Sequence, residues 1–206
     1  MWYPVILTVL TGYFLGNLNG AVNVSALVAH DDVRSHGSGN AGLTNFIRNF
    51  GRGSAIFVLL IDGGKTALAC LVGGQLLGDF TLEGMLLGAA AVSLGHDFPA
   101  LLGFKGGKGI VCGAVAAFVI DWRVGLIGAA AFFLCYFLTH YVSLSSIFGA
   151  VGFGAGFALL YMGRPWMMAG GIFMAALAIF MHRENIVRLC KGTERKSHLF
   201  GMGKKP

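Results

Sequence analysis

The chain has 206 residues, 56% of them hydrophobic and only 12% charged, with 33 glycines and a net charge of +6; its mean hydropathy is +0.74. Soluble domains carry about 25% charged residues, so the composition excludes a soluble globular protein and predicts an all-α integral membrane protein, a single domain over 1–206. The basic surplus does not point to nucleic acid, because no basic stripe interleaves with stacking aromatics.

A spanning helix needs about 20 mostly apolar residues. In chain order that measure predicts about seven transmembrane helices, near 3–29, 54–77, 82–102, 110–120, 123–140, 144–161 and 165–182. The fourth, "IVCGAVAAFVI", spans only if it tilts or borrows from the preceding "FKGGKG", so six is the alternative. The start, "MWYPVILTVLTGYFLG", lacks a basic leader and a small-residue cleavage site and reads as an uncleaved helix. Glycines four apart, Gly12/Gly16/Gly20, Gly84/Gly88 and Gly152/Gly156, predict close helix contacts. Cys70, Cys112, Cys135 and Cys190 form no C-x-x-C pair and read as packing residues.

Basic residues gather in three polar segments, 30–53, 103–109 and 182–206, from Arg34 through Lys105 and Lys108 to Lys204 and Lys205. Arg123 and Arg164 stand on the opposite side. The positive-inside rule places the three segments in the cytoplasm; with seven spans the amino terminus is outside, the carboxyl terminus is inside, and the six histidines lie near the cytoplasmic boundary.

The first polar segment contains Gly37-x-Gly39-x-x-Gly42, the spacing of a dinucleotide fingerprint, but "DDVRSH" precedes it where a buried strand is required. "GGKT" at 63–66 has Leu59 where a phosphate loop needs its first glycine, and "GFKGGKG" ends on Gly109 in place of Ser or Thr. Without a nucleotide site, these stretches still share one property. Glycine-rich turns expose backbone N–H groups, and a helix opening from such a turn aims its positive end at an anion. Segment 34–48 adds the hydroxyls of Ser38 and Thr44, the amides of Asn40 and Asn45, and Arg48; segment 103–109 adds Lys105 and Lys108. After the last span, His182 and Asn185 share a helical face. The chain is thus expected to hold phosphate at one membrane face.

"GSGNAGLTN" followed by Arg48, "GHDFPALLGFKGGKG" at 95–109, "VSLSS" at 142–146 and "HRENIVRLCKGTE" at 182–194 together resemble the motifs of the bacterial acyl-phosphate:glycerol-3-phosphate acyltransferases, the PlsY family, in order along the whole chain. The resemblance implies a seven-helix enzyme of the bacterial inner membrane with its active site on the cytoplasmic face. Such an enzyme transfers a long acyl chain from acyl phosphate to the 1-hydroxyl of glycerol 3-phosphate, giving lysophosphatidate and phosphate for phospholipid synthesis. It implies Arg48, Lys108, Ser143, His182 and Asn185 as the catalytic set, and Ser38, Gly39, Asn40, Gly42, Thr44, Asn45, Gly106 and Gly107 as the phosphate cradle. No metal or cofactor is expected; the expected partners are the two substrates, membrane lipids and the enzyme that makes acyl phosphate, with the chain itself a monomer.

The chemistry is sound on its own terms. An acyl phosphate is a mixed anhydride with a good leaving group, so a hydroxyl attacks it directly if two anions are brought together and the charge on the departing phosphate is stabilised. Competing readings stay open for several residues. Asn40 and Asn45 also suit turns, and Ser143 suits a helix cap. His96 is read first as a structural hydrogen-bonding residue, since the acid of a histidine-x4-aspartate signature is replaced by Leu101. Asp62 and Lys65, three apart inside the second span, are expected to pair and face the bundle, either as structure or as lining of the substrate entry. Glu184 is expected to turn away from His182, and Glu194 to lie in the tail. A phosphate dianion has a pKa of about 6, so the substrate is the expected proton acceptor, with His182 a donor to phosphate. A transporter of an organic phosphate is the alternative, but no inverted repeat is evident.

Overall fold

The computed structural model describes residues 2–197; Lys204, Lys205 and His198 lie outside them. Among the described residues every regular element is helical. α1 (Tyr3–Asn17) begins with Pro4 in its first turn, where the missing N–H costs nothing. It stops at Leu18, and α2 (Gly20–Ala29) restarts at once, capped by Asn19, whose side chain accepts from the Val22 N–H at 3.0 Å. The single helix expected over 3–29 is therefore broken at its centre.

The break sits against a buried pair on α4 (Ala55–Leu76). Lys65 Nζ lies 2.7 Å from Asp62 Oδ1, and also donates to the carbonyls of Leu18 at 2.7 Å and Gly16 at 3.2 Å. Asp62 Oδ1 accepts from the Gly20 N–H at 3.0 Å. A cation thus meets the carboxyl end of α1 and an anion meets the amino end of α2, each complementing the helix dipole and its unpaired backbone groups. The expected pairing of Asp62 with Lys65 is present.

α5 (Leu82–Asp97) opens at Thr81, whose hydroxyl accepts from the Gly84 N–H, with Glu83 in its first turn. α6 (Ile110–Ile120), α7 (Trp122–Thr139), α8 (Val142–Leu160) and α9 (Pro165–Met181) follow, and α10 (Arg183–Cys190) departs from α9 at 55°. Five stretches are long and apolar enough to cross a membrane, six if α9 and α10 are one bent span. At a rise of about 1.5 Å per residue α6 reaches only about 16 Å, half of a hydrocarbon core of about 30 Å. One element was not foreseen. Within the segment read as a loop, α3 (Leu43–Phe50) is an amphipathic helix that buries Phe46 against Val33, Ala55 and Val58.

α1, α4 and α5 pack on one another, α8 packs on α7 and α9, and α6 bridges the two groups. The expected glycine contacts are found. A Cβ on Gly16 would overlap α5 at Val92 and Gly95, and one on Gly95 would overlap the Tyr13 carbonyl of α1, so the two backbones meet without side chains between them. Gly88 lies equally close to the Ala69 carbonyl on α4. Gly64 is exposed with open space around it.

Gly95→Ala is therefore expected to abolish recovery of monodisperse protein in detergent. Gly64→Ala should be neutral or stabilising by up to about 1 kcal/mol, the difference in helix propensity. Thermal unfolding of the two variants followed by gel filtration decides; equal behaviour would remove the close α1–α5 approach as a requirement of the fold.

Candidate active site

At the end of the bundle where α3, the 103–109 loop, the start of α8 and the α9–α10 bend converge, the chain encloses a cavity of about 760 Å³. Its first wall is the loop after α2. Gly37 and Gly39 hold φ of +59° and +70°, the left-handed region that glycine enters freely, and the turn is tied from within by Asn45. That side chain is buried, accepts from the Ser38 N–H at 3.1 Å, and donates to the carbonyls of Val33 and His36 at 3.0 Å and of Asn40 at 3.1 Å. Its Oδ1 also accepts from Asn49 Nδ2 at 3.0 Å, and both its amide hydrogens go to the loop carbonyls, so Asn45 shapes the wall and has no donor left for a ligand. Ser38, Asn40, Gly42, Thr44 and Arg48 line the cavity beside it, as expected. Gly39 does not line it and serves the turn alone.

The second wall is the lysine loop. Gly106 and Gly107 do not reach the cavity. The Gly106 carbonyl accepts from the Ala41 N–H at 3.3 Å, and the Gly107 N–H donates to the His96 carbonyl at 3.0 Å. Gly107 is packed so tightly on the His96 ring that a Cβ would overlap Nε2. Their part is close approach, and Lys108 and Gly109 form the wall. Behind them, His96 Nδ1 lies 2.9 Å from Lys65 Nζ; an ammonium can only donate, so Nδ1 accepts and the neutral ring carries its proton on Nε2, toward the lysine loop. His96 thus makes a buried hydrogen bond to Lys65, and both His96 and Asp62 also border the cavity, whereas Lys65 does not.

The third wall joins α8, α10 and the chain beyond. Lys108 Nζ donates to Asn185 Oδ1. Asn185 Nδ2 and Ser143 Oγ both donate to Glu194 Oε1, at 2.8 and 2.7 Å, and Arg188 Nε donates to Glu194 Oε2 at 2.8 Å. Glu194, expected in the tail, is thus the hub of this wall. Burial works to raise its carboxyl, but the hydrogen bonds from Arg188, Ser143 and Asn185 outweigh it and hold the group below the usual carboxylate range. Ser143 and Asn185 each donate to Glu194, and Asn185 accepts from Lys108, so both help to fix this wall. Arg188, Thr193 and Arg195 also border the cavity and were not singled out from sequence. The signal was Gly192, whose φ of +68° ends α10 and turns the chain back. Glu184 faces solvent, 3.9 Å from Arg188, as expected.

His182 is buried at the α9–α10 bend, with Nδ1 2.7 Å from the Ala178 carbonyl. A carbonyl only accepts, so Nδ1 holds the proton and Nε2 of the neutral ring is an acceptor. The expected role of donor to phosphate is open at Nε2 only to the imidazolium. Burial, and then Arg188, push the Lys108 ammonium below the ordinary lysine range, and burial does the same to Arg48. Arg48, Lys108 and Arg188 lining one cavity, with a glycine turn and a helix opening at its edge, suit an anionic ligand with more than one negative group.

A family model described as glycerol-3-phosphate acyltransferase matches residues 6–192. A protein of that name from Thermoanaerobacter sp. (strain X514) is 37% identical over 191 residues, covering 93% of this chain and 94% of its own length. Glycerol-3-phosphate acyltransferase 1 of Deinococcus radiodurans is 40% identical over 194 residues, covering 92% and 96%. Among solved structures, PlsY (YgiH), an integral membrane glycerol 3-phosphate acyltransferase crystallised in its glycerol 3-phosphate form, superposes with a TM-score of 0.83 at 29% identity, over 96% of this chain and 99% of that one. Its lysophosphatidic acid form gives 0.81 at 28% identity, over 94% and 95%. With the motifs gathered on one cavity and the match running nearly end to end, this chain belongs to the glycerol-3-phosphate acyltransferase family.

Proposed function

We propose that the protein acylates the 1-hydroxyl of glycerol 3-phosphate with an acyl chain taken from acyl phosphate, releasing lysophosphatidate and inorganic phosphate. The observation that carries this reading is the cavity itself. Two anion-suited walls, the Ser38–Arg48 turn with α3 and the Lys108 loop, face one another across a space that adjoins an apolar cleft among α5, α6, α7, α8 and α9. One wall takes the phosphate of the donor and the other that of the acceptor, and the cations offset their mutual repulsion. Arg48 and Lys108 stabilise the charge gathering on the departing phosphate. The neutral His182 presents Nε2 to the hydroxyls of glycerol 3-phosphate and orients them. Taking up the proton would place an imidazolium within reach of the Lys108 charge, so the departing phosphate is the proton acceptor. The chain acts as a single domain and monomer of the bacterial inner membrane. It has seven spans with α6 as the short fourth, the amino terminus outside and the cavity at the cytoplasmic face, where all the basic segments meet.

Purified protein should release inorganic phosphate from acyl phosphate only when glycerol 3-phosphate is added, with lysophosphatidate formed in equal amount. Release without the acceptor, or none with it, would sink the reading. Lys108→Ala should lower turnover by at least about 100-fold, the scale of losing one donor to a developing anion. Because Lys108 lies below its ordinary value of 10.5, its charge is lost as pH rises through that lowered value. Turnover should therefore fall on the alkaline side at a pH below 10.5, and Lys108→Arg, which stays charged, should lack that limb. With Cys190 replaced by Ser, since it is the exposed thiol of the four, Lys105→Cys and Arg195→Cys should label from the cytoplasmic side and Gly163→Cys from the outside. Labelling of Lys105→Cys and Arg195→Cys from opposite sides would dismantle the site.

A further inference from the structure

A cleft of about 110 Å³ lies among α5, α6, α7, α8 and α9 and adjoins the main cavity along a boundary that includes Lys108, Gly109, Ile110, Phe132 and Ser146. Its lining is apolar but for a few residues. Lys108 is engaged with Asn185, and Ser146 Oγ donates to the Val142 carbonyl at 2.8 Å. Ser93 and Asp97 are different. They are 4% and 2% exposed, and Ser93 Oγ and Asp97 Oδ1 have no hydrogen-bond partner, the only buried side-chain polar atoms so placed among the described residues. Four residues apart on α5, they present one face, one turn from each other. Asp97 Oδ1 lies 3.1 Å from where a Cβ on Gly109 would stand, which puts the carboxyl beside the lysine loop, at the end of the cleft that Lys108 and Gly109 border. Ser93 is one turn further in.

Buried polar groups are hydrogen-bonded as a rule, and an orphan in an apolar site is expensive. Two orphans facing the same narrow cleft point to a ligand that supplies the missing partners there. Resting on the reading that the donor's phosphate occupies the main cavity, the first carbons of its acyl chain pass Asp97 and then Ser93. A plain hydrocarbon leaves both unpaired. A hydroxyl group donates one hydrogen bond and accepts others, and can bridge two groups a helical turn apart. We propose that Ser93 and Asp97 form a polar subsite that selects acyl chains bearing a hydroxyl close to the carboxyl end.

The test compares 3-hydroxytetradecanoyl phosphate with tetradecanoyl phosphate as donors and reads the ratio of their kcat/KM values. The wild-type ratio should favour the hydroxylated donor, and Ser93→Ala and Asp97→Ala should each lower that ratio by about tenfold or more, as for a site built to bond a substrate hydroxyl. Asp97→Asn, which keeps hydrogen-bonding groups in the same shape, should retain part of the preference. A ratio below one in the wild type, or one unchanged in both alanine variants, overturns the subsite. Acyl transfer from tetradecanoyl phosphate by the wild type reports the proposed function separately. If neither donor reacts, that function fails, and thermal stabilisation decides the subsite alone: 3-hydroxytetradecanoate must stabilise the wild type more than tetradecanoate does, and must lose that advantage in Ser93→Ala.

Discussion

The structure depends on a charge pair placed where two helix ends meet. Asp62 and Lys65 are both buried in the middle of the bundle, where an unpaired charge is costly and even a paired one needs further hydrogen bonds to offset its desolvation. Those bonds come from the break between α1 and α2. The ammonium shares three hydrogens among Asp62, the Gly16 and Leu18 carbonyls and His96 Nδ1, and the carboxylate takes the Gly20 N–H. Without the pair, the break would leave backbone groups unsatisfied in an apolar interior; without the break, the pair would have nothing but itself.

From this point order passes outward to the polar cavity. His96, held by Lys65, packs on Gly107, and its carbonyl takes the Gly107 N–H. Asn19, the cap of α2, donates to the Ala41 carbonyl at 3.0 Å, while the Ala41 N–H reaches Gly106. The helix break is thereby joined to the glycine turn before α3 through the Asn19 side chain, and that turn to the lysine loop through a backbone hydrogen bond. Small residues matter here because a Cβ at Gly107 would push the lysine loop off His96.

On the other side of the cavity Glu194 plays a comparable part with a different logic. It brings one negative charge into a crowd of cations, fixes Arg188, Ser143 and Asn185, and through Asn185 fixes Lys108. The strand of chain that carries it is anchored in turn, the Ser197 N–H bonding the His140 carbonyl at 2.9 Å and the Tyr136 hydroxyl bonding the Ser197 carbonyl at 2.7 Å. Among the described residues, the cavity cations that form no ion pair with a carboxylate, Arg48 and Lys108 among them, are the ones left to face an incoming phosphate.

What the sequence determined by itself was the solvent and the inventory. Apolar length is a local property, so the positions of the long apolar helices, the short α6 and the polar segments could be read one after another, as could the pairing of Asp62 with Lys65 three residues apart. The break in the first span and helix α3 were not legible, because the break depends on Lys65, 47 residues from Leu18, and α3 depends on burying Phe46 against α2 and α4. The same limit applied at the site. Most of the motif residues border one cavity, but the contacts each one makes were decided far apart in sequence: Asn45 turned inward to build its loop, Gly106 and Gly107 packed behind the wall, and Glu194 came back 51 residues to meet Ser143. Residue type and spacing show which groups a chain owns; only the tertiary structure shows which of their hydrogen bonds are already spent.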